Sequence, residues 1–326
     1  MWRKLSKILV YVLAVAGITA YICYASHLAQ EYRARTRVCN IEISLPDNSE
    51  NRNFTSLEQV YQRLKQSGMS IENELIDSVD VSNIAAYIAR DGFVSDVDVH
   101  VAYSGTLYVD IKQYTPVLRL LSGGFNSYVT EEGQVFCQPY ESAYYTTVVT
   151  GKYKPYFGTY YEGNAKEYFA NLIEEESDKL SKISTEMASL RISRRENNEE
   201  GMLVKIDSME ARLKRQKLIS ENRKKKLQKK SVDFVNLINF VSKVNRDPFW
   251  SAEVVQLVAD TTYMGEITLR LIPRSGNFEV NFGTLDKSDE KLTKLRKFYE
   301  KGLPYVGWEL YKVVDVRYDK QIICRE

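Results

Sequence analysis

The sequence contains two histidines, the residue type that most often serves as the base in nucleophilic catalysis. His27 lies near the end of an apolar run. His100 lies between Val99 and Val101 in an alternating segment, where an ordinary position on a strand face is the simpler interpretation. A Ser or Cys nucleophile without such a base is weak at neutral pH. The sequence therefore predicts no catalytic residues and favours a protein that is not an enzyme.

Phosphate-binding loops and metal sites are not indicated either. Gly123, Gly124 and Gly276 stand in turn contexts without the helix start that a phosphate loop needs. The acidic residues form no recognisable metal or glycosidase pattern, and the cysteines form no CxxC pair. We expect no cofactor, no metal and no small-molecule substrate. One disulfide with one free thiol stays open for the three cysteines outside the apolar run, which are Cys39, Cys137 and Cys324.

The overall charge argues against a nucleic-acid binder. There are 45 Lys and Arg residues against 43 Asp and Glu residues, a formal charge of +2, whereas general nucleic-acid binders show a pronounced basic excess. Charge is instead segregated locally, with ten acidic and six basic residues in 162–200 but eleven basic and three acidic residues in 205–230. Charge runs of this kind are usually solvated or paired faces.

The N-terminus predicts a membrane anchor. Residues 1–7 form a short basic leader, and residues 8–30 contain no charged side chain. At about 1.5 Å per residue this run gives a helix of roughly 34 Å, enough to cross a hydrocarbon core of about 30 Å. A cleaved signal peptide is the alternative. The short leader and long remainder favour an N-terminus in the cytoplasm and the bulk of the chain outside.

A first domain is predicted over residues 38–115. Residues 38–45 alternate as a strand, two amphipathic helices follow, and two alternating segments flank Ser104-Gly105 as a β-hairpin. We expect Thr55 or Ser56 to begin the first helix. This β-α-α-β-β order resembles a POTRA domain, a three-stranded sheet with two helices on one face.

A second domain is predicted over residues 116–326, so that the chain belongs to the α+β class. Its segments read as a β-sheet with a helix and a strand at the C-terminus, interrupted at about 162–245 by a long helical, coiled-coil-like insertion. We expect an antiparallel helical hairpin that projects without entering the core of the domain. Two separate charged helices or a partly disordered insertion are the alternatives. The predicted seam consists of Ile173, Leu180, Ile183, Met187 and Leu190.

Four motifs resemble the bacterial cell-division family FtsQ/DivIB, in its Bacteroidetes-type branch. They are GTLYVDIKQYTPVLRL, NSYVTEEGQVF, DKSDEKLTKLRKFY and VVDVRYDKQIIC, in the order expected for the family. Thr130 stands where the family has Asp, which we expect to remove a turn hydrogen bond, and Gln321 stands where Gly is usual. The helical insertion is not part of the family pattern.

The resemblance implies a non-catalytic divisome scaffold, a single-pass protein of the inner membrane with its bulk in the periplasm at the division septum. Its implied partners are FtsB/DivIC-like and FtsL-like coiled-coil proteins and the septal peptidoglycan synthase complex. A membrane-anchored cell-envelope enzyme and a POTRA-type envelope assembly factor are the alternatives.

The chain ends in a segment predicted to be an edge strand open to a partner strand. On a two-residue period Val314, Val316 and Tyr318 face the core, while Asp315 and Arg317 face outward. The resemblance places partner binding at the same end of the chain. The alternative is that the aromatic residues belong to the core and the edge is covered. The predicted partner-binding residues are Trp308, Tyr311, Tyr318, Gln321, Ile322, Ile323 and Cys324.

Overall fold

The computed structural model describes residues 2–45, 54–137, 143–196 and 199–326, and the side chains of residues 2–12 lie outside that description. The chain begins with helix α1, Trp2–Arg33. Among the described residues, no helix carries an apolar stretch long enough to cross a membrane. Residues 8–12 of the predicted span lie among the side chains that are not described, and the structure gives the prediction of a span at 8–30 no support.

The chain forms two compact units. The first ends at Tyr114, and the second begins at Thr115 and runs to the C-terminus, except for a short segment ending at Tyr144 that belongs to the first unit. All four cysteines are free thiols. The mixed α+β class predicted from the sequence is confirmed.

The first unit has the predicted order of elements. They are β1 Asn40–Ser44, α2 Leu57–Gln66, α3 Val81–Ile88, β2 Val94–Val101 and β3 Thr106–Gln113. Strand β3 is central, parallel to β1 and antiparallel to β2. Ser56 begins α2 in a capping box with Gln59, as expected. The core is formed by apolar residues of both helices and of β3, among them Leu64, Ile84, Leu107 and Val109.

The second unit is built on one ten-stranded sheet. Its strands are β4 Pro116–Leu120, β5 Ser127–Thr130, β6 Gln134–Cys137, β7 Thr147–Gly151, β8 Gly163–Asn164, β9 Val254–Thr261, β10 Ile267–Pro273, β11 Glu279–Gly283, β12 Val313–Asp315 and β13 Ile323–Arg325. The spatial order is β13-β12-β11-β10-β9-β7-β4-β5-β6-β8. Thr130 keeps a turn hydrogen bond, because its hydroxyl accepts from the Gln134 N–H at 3.2 Å. The expected loss of that bond is therefore wrong.

Five helices complete this unit. They are α4 Ala165–Glu196, α5 Glu200–Arg246, α6 Pro248–Glu253, α7 Ser288–Lys301 and α8 Leu303–Val306. Helices α4 and α5 pack on each other as the predicted hairpin. On α5, buried apolar residues recur at multiples of seven, the spacing of a coiled-coil seam; they are Ile206, Leu213, Leu227 and Phe234.

In the described part of the hairpin, one charged side chain of the seam is buried. Glu176 of α4 is buried and lies 2.8 Å from the Lys179 ammonium and 3.4 Å from the Arg223 guanidinium. The hydrogen bond from Lys179, aided by Ser220 and the charge of Arg223, lowers the pKa of Glu176 against the opposing effect of burial. Arg223 of the basic arm α5 thus pairs across the seam with Glu176 of the acidic arm α4.

The prediction that the insertion stays outside the core is wrong. Ala165 and Phe169 of α4, and Phe234, Leu237 and Val241 of α5, belong to the main hydrophobic core. The reason is topological, because β7 and β9 are parallel neighbours and parallel strands require a connection that crosses a face of the sheet. The insertion is that connection, and its base therefore packs on the sheet.

Candidate functional site: the C-terminal sheet edge

Two short strands form one end of the large sheet. β12 lies parallel to β11, with Val314 opposite Val280, and the side chains of Val314 and Val316 are fully buried. The chain then turns through Tyr318–Lys320, where Lys320 adopts a φ of 60°. It returns as β13, antiparallel to β12, with Cys324 opposite Val314. β13 is the last strand in the sheet order, so the edge is formed by 323–325, and two of the predicted partner-binding residues, Ile323 and Cys324, lie on it.

The alternation predicted for this segment fails after Val316. Tyr318 was expected in the core, but 40% of its surface is exposed. Asp315 was expected to face outward, but only 1% of it is exposed. The strand ends at Asp315, so the two-residue period no longer applies to Arg317 and Tyr318. Tyr318 is therefore available at the surface beside the edge.

Asp315 and Arg317 form a clamp that fixes the turn. The Arg317 guanidinium donates to both carboxylate oxygens of Asp315, at 2.9 Å from Nε and 2.6 Å from Nη2, and the Arg317 backbone N–H donates at 3.1 Å. Burial raises the pKa of Asp315, but these hydrogen bonds and the charge of Arg317 outweigh it, so the net pKa is lowered. A bidentate ion pair of this kind fixes the relative orientation of the two side chains as well as the distance between them.

Helix α7 holds the same turn from the other side. The Lys294 ammonium donates to the carbonyl oxygens of Val316, at 2.9 Å, and of Tyr318. Burial lowers the pKa of Lys294. Between α7 and residues 316–320 lies a cleft of ≈ 540 Å³, lined by six basic and three acidic residues. The surface beside the edge is therefore predominantly basic.

The predicted partner-binding residues fall into two groups. Trp308 is partly buried, with its ring 5.7 Å from that of Tyr299, and Ile322 and Cys324 pack against the core. Burial also raises the pKa of the Cys324 thiol. Gln321 is exposed, Tyr311 and Ile323 are half-buried, and Tyr318 lies at the surface. The first group packs against the core, and the second group is at least partly exposed.

The sequence reasoning missed Asp315, Arg317 and Lys294 as organisers of this site. An acidic residue two positions before an arginine is a recognisable signal, but its burial depends on the parallel pairing of β12 with β11. Lys294 could not be found from spacing, because its partners are backbone carbonyls 22 and 24 residues further along the chain.

One group of side chains could hold a metal ion among the residues that the structure describes. Asp98, His100 and Asp110 lie on the sheet of the first unit, with their ligand atoms within 4.8 Å of one another. Asp98 and Asp110 are direct partners across β2 and β3. All three are exposed, and exposed acidic groups of this kind commonly carry no ion.

Comparison with known protein families gives two matches. Residues 37–112 match a POTRA-like domain, and residues 201–325 match the FtsQ/DivIB C-terminal related family. The chain thus pairs a POTRA-like domain with an FtsQ/DivIB-related region. No curated protein matches the sequence. The resemblance to the FtsQ/DivIB family is confirmed, and these families imply a cell-division scaffold role.

The extent of the FtsQ/DivIB match corrects one expectation. It begins at residue 201 and therefore includes helix α5, the return arm of the hairpin. The insertion as a whole was expected to lie outside the family pattern, but only α4 lies outside the matched residues. The match agrees with the structure, in which α5 contributes to the core.

Proposed function

We propose that the protein is a non-catalytic scaffold of the cell-division machinery that receives a strand from a partner at β13. The observation that carries this proposal is the position of β13 as the last strand of a ten-stranded sheet. Backbone N–H and C=O groups on the outer side of such a strand can pair with another chain, which is the basis of recognition by strand addition.

The surroundings of β13 support this proposal. The Asp315–Arg317 clamp and the Lys294 contacts fix the turn before a partner binds, so binding costs little conformational entropy there. Tyr318 offers an exposed aromatic ring next to the edge, a residue type enriched in binding hot spots. The basic cleft favours a partner with acidic residues beside its paired strand.

The partner proposed for this edge is an FtsB/DivIC-like protein, with FtsL-like proteins and the septal peptidoglycan synthase complex as further members of the assembly. The proposed location is the inner membrane at the septum, with the N-terminus in the cytoplasm and the two units in the periplasm. The support for an anchor is the uncharged run at 8–30. N-terminal sequencing of the mature protein tests it, because a chain that begins near residue 26–31 indicates cleavage.

A proline scan of β13 tests strand addition. Successive backbone N–H groups of a strand point to opposite edges, so proline at Ile323 or Arg325 removes a donor from one edge and proline at Cys324 removes a donor from the other. We expect the variants on the outer side to keep the melting temperature of the full chain and to lose co-purification with the FtsB/DivIC-like protein. The variants on the inner side should lower the melting temperature, because they break the pairing with β12.

The control is proline-free substitution of the same side chains, Ile323→Val and Arg325→Lys, which should leave binding unchanged. If every proline variant that keeps its melting temperature also binds the partner as well as the wild type does, β13 does not receive a strand.

A further inference from the structure

One side of helix α5 carries only basic and uncharged residues. Over Val204–Lys229 the positions that face away from α4 include no Asp or Glu. Six basic residues lie there, and all are exposed; this basic face consists of Lys205, Arg212, Arg215, Lys225, Lys226 and Lys229. Within α5, the side that faces away from α4 therefore carries basic residues and no acidic ones.

The three acidic residues of α5 between Val204 and Lys229 pair with basic residues of α4 or of α5 itself. Asp207 lies 2.8 Å and Glu210 lies 3.4 Å from the Arg194 guanidinium of α4. Glu221 lies 4.0 Å from Lys217 on α5 itself. These carboxylates are consequently not available to neutralise the basic face.

In the described part of the chain, one of the six residues of the basic face has a counter-ion. Lys229 pairs with Glu266 at 3.0 Å. For the other five residues, the described part of the chain provides no ion pair. Five like charges along about six turns repel one another, and an acidic partner would relieve that repulsion.

Aliphatic side chains run along the same face. Val204, Ala211 and Leu218 follow one another at intervals of seven residues, and Ile219 lies beside Leu218. Leu218 and Ile219 are 57% and 58% exposed. A seven-residue repeat forms a straight stripe along a helix that winds around a neighbour, which is the pattern that a second helix recognises.

We propose that the basic face of α5 binds an acidic amphipathic α-helix of a partner protein. Aliphatic residues of that helix would cover Val204, Ala211 and Leu218, and its carboxylates would pair with the flanking Lys and Arg side chains. The proposal goes beyond strand addition at β13, because it uses a different surface and requires a different secondary structure in the partner.

An anionic membrane surface fits this face less well. Helices that lie on membranes bury a wide apolar side that usually includes Trp, Phe and Leu, and they keep their cations on the opposite side. Here the aliphatic stripe has no aromatic residue, and the cations lie beside it and not on the opposite side of the helix. The arrangement matches a narrow helix–helix seam with charged flanks.

Site-specific photo-crosslinking in cells tests the proposal on the full chain. A photoreactive amino acid replaces Leu218, and a second strain carries it at Lys182, an exposed position on α4. We expect an adduct at Leu218 that is absent at Lys182. Mass spectrometry should map it to a segment with net negative charge and apolar residues at seven-residue intervals.

Charge reversal makes the test specific. The triple variant Arg212→Glu, Arg215→Glu, Lys226→Glu should lower the adduct yield by about tenfold or more, because three pairs across the seam become repulsive. The charge-conserving variant Arg212→Lys, Arg215→Lys, Lys226→Arg should retain the yield. Exchange of the acidic residues in the captured segment for Lys should restore the adduct with the triple Glu variant.

Three results would overturn the proposal: no adduct above the Lys182 level, an adduct with phospholipid or wall polymer, or a captured segment that is neutral or basic. A third probe at Arg325 reports independently on β13. An adduct at Arg325 without one at Leu218 removes this inference and leaves the proposed function intact.

Discussion

Replacement of Arg317 by alanine should destabilise the second unit, because it leaves the Asp315 carboxylate buried without its counter-ion. Asp315 is 1% exposed and accepts two short hydrogen bonds from the guanidinium. Breaking a fully buried pair costs about 3–5 kcal/mol. The Arg317 side chain is 46% exposed, so water can replace part of what is lost. We therefore expect a loss of about 2 kcal/mol in the free energy of unfolding at pH 7.

Urea unfolding followed by tryptophan fluorescence measures this loss. Two of the three tryptophans, Trp250 and Trp308, lie in the second unit, and Trp2 lies in the first, so the signal reports mainly on the second unit. Arg317→Lys should cost less than Arg317→Ala, because it keeps the charge but not the bidentate fork. Lys312→Ala is the matched control, an exposed cation two residues before the buried Val314, and should change the free energy by no more than about 0.5 kcal/mol.

The pH dependence provides a second measurement of the same clamp. The pKa of Asp315 is lowered in the folded state, so its contribution is complete above the unfolded-state value of about 3.9 and is lost as the pH falls through the folded-state value. In Arg317→Ala burial dominates, the folded-state pKa rises, and stability should depend less on acidification or increase with it. An Arg317→Ala variant within about 0.5 kcal/mol of the wild type, with an unchanged pH profile, refutes the clamp.

Three further predictions concern the insertion and the sheet. Phe234→Ala should lower the free energy of unfolding, measured with urea, by about 3–5 kcal/mol, because the base of the hairpin belongs to the core. Ile192→Ala, at an exposed position on α4, should lower it by less than about 0.5 kcal/mol, and equal effects would contradict the packing. Glu176→Leu should have a free energy of unfolding within about 1 kcal/mol of the wild-type value or above it, because its two cationic partners are half exposed and return to water. A loss above about 2 kcal/mol would show that the ion pair itself is stabilising. Gly151→Ala should prevent folding of the second unit, seen as loss of the fluorescence transition, because a Cβ there would lie 2.2 Å from the Ala259 carbonyl oxygen at a φ of 107°; a cooperative transition at the wild-type midpoint would refute this.

The elements with strong local signals could be predicted from the sequence. Helix α2 begins at Ser56 because the Ser56–Gln59 capping box is encoded within four residues. The hairpin of α4 and α5 follows from the seven-residue spacing of its seam and from the division of charge between its arms. In both cases the determining contacts lie close in sequence or repeat regularly.

The features that depend on distant pairing could not be predicted. The base of α5 is buried because β7 and β9 are parallel neighbours, and nothing in the local pattern of 234–244 distinguishes packing on a sheet from packing on a helix. The division of the C-terminal segment into two strands could not be predicted for a similar reason. The alternation of Val314 and Val316 suggested one continuous strand, whereas the chain turns back at Tyr318–Lys320 and pairs with itself.

Helix α5 joins the basic face to the sheet without interruption. It is continuous over Glu200–Arg246, and about 16 residues, or roughly 24 Å, separate Leu218 from Phe234 in the core. Each residue of an α-helix adds about 1.5 Å to its length and about 100° of rotation about its axis, so the helix fixes both the distance and the direction of the basic face. The length of this arm therefore sets the direction in which a bound partner leaves the domain, and one residue gained or lost between the two points would rotate Leu218 by about 100° relative to Phe234.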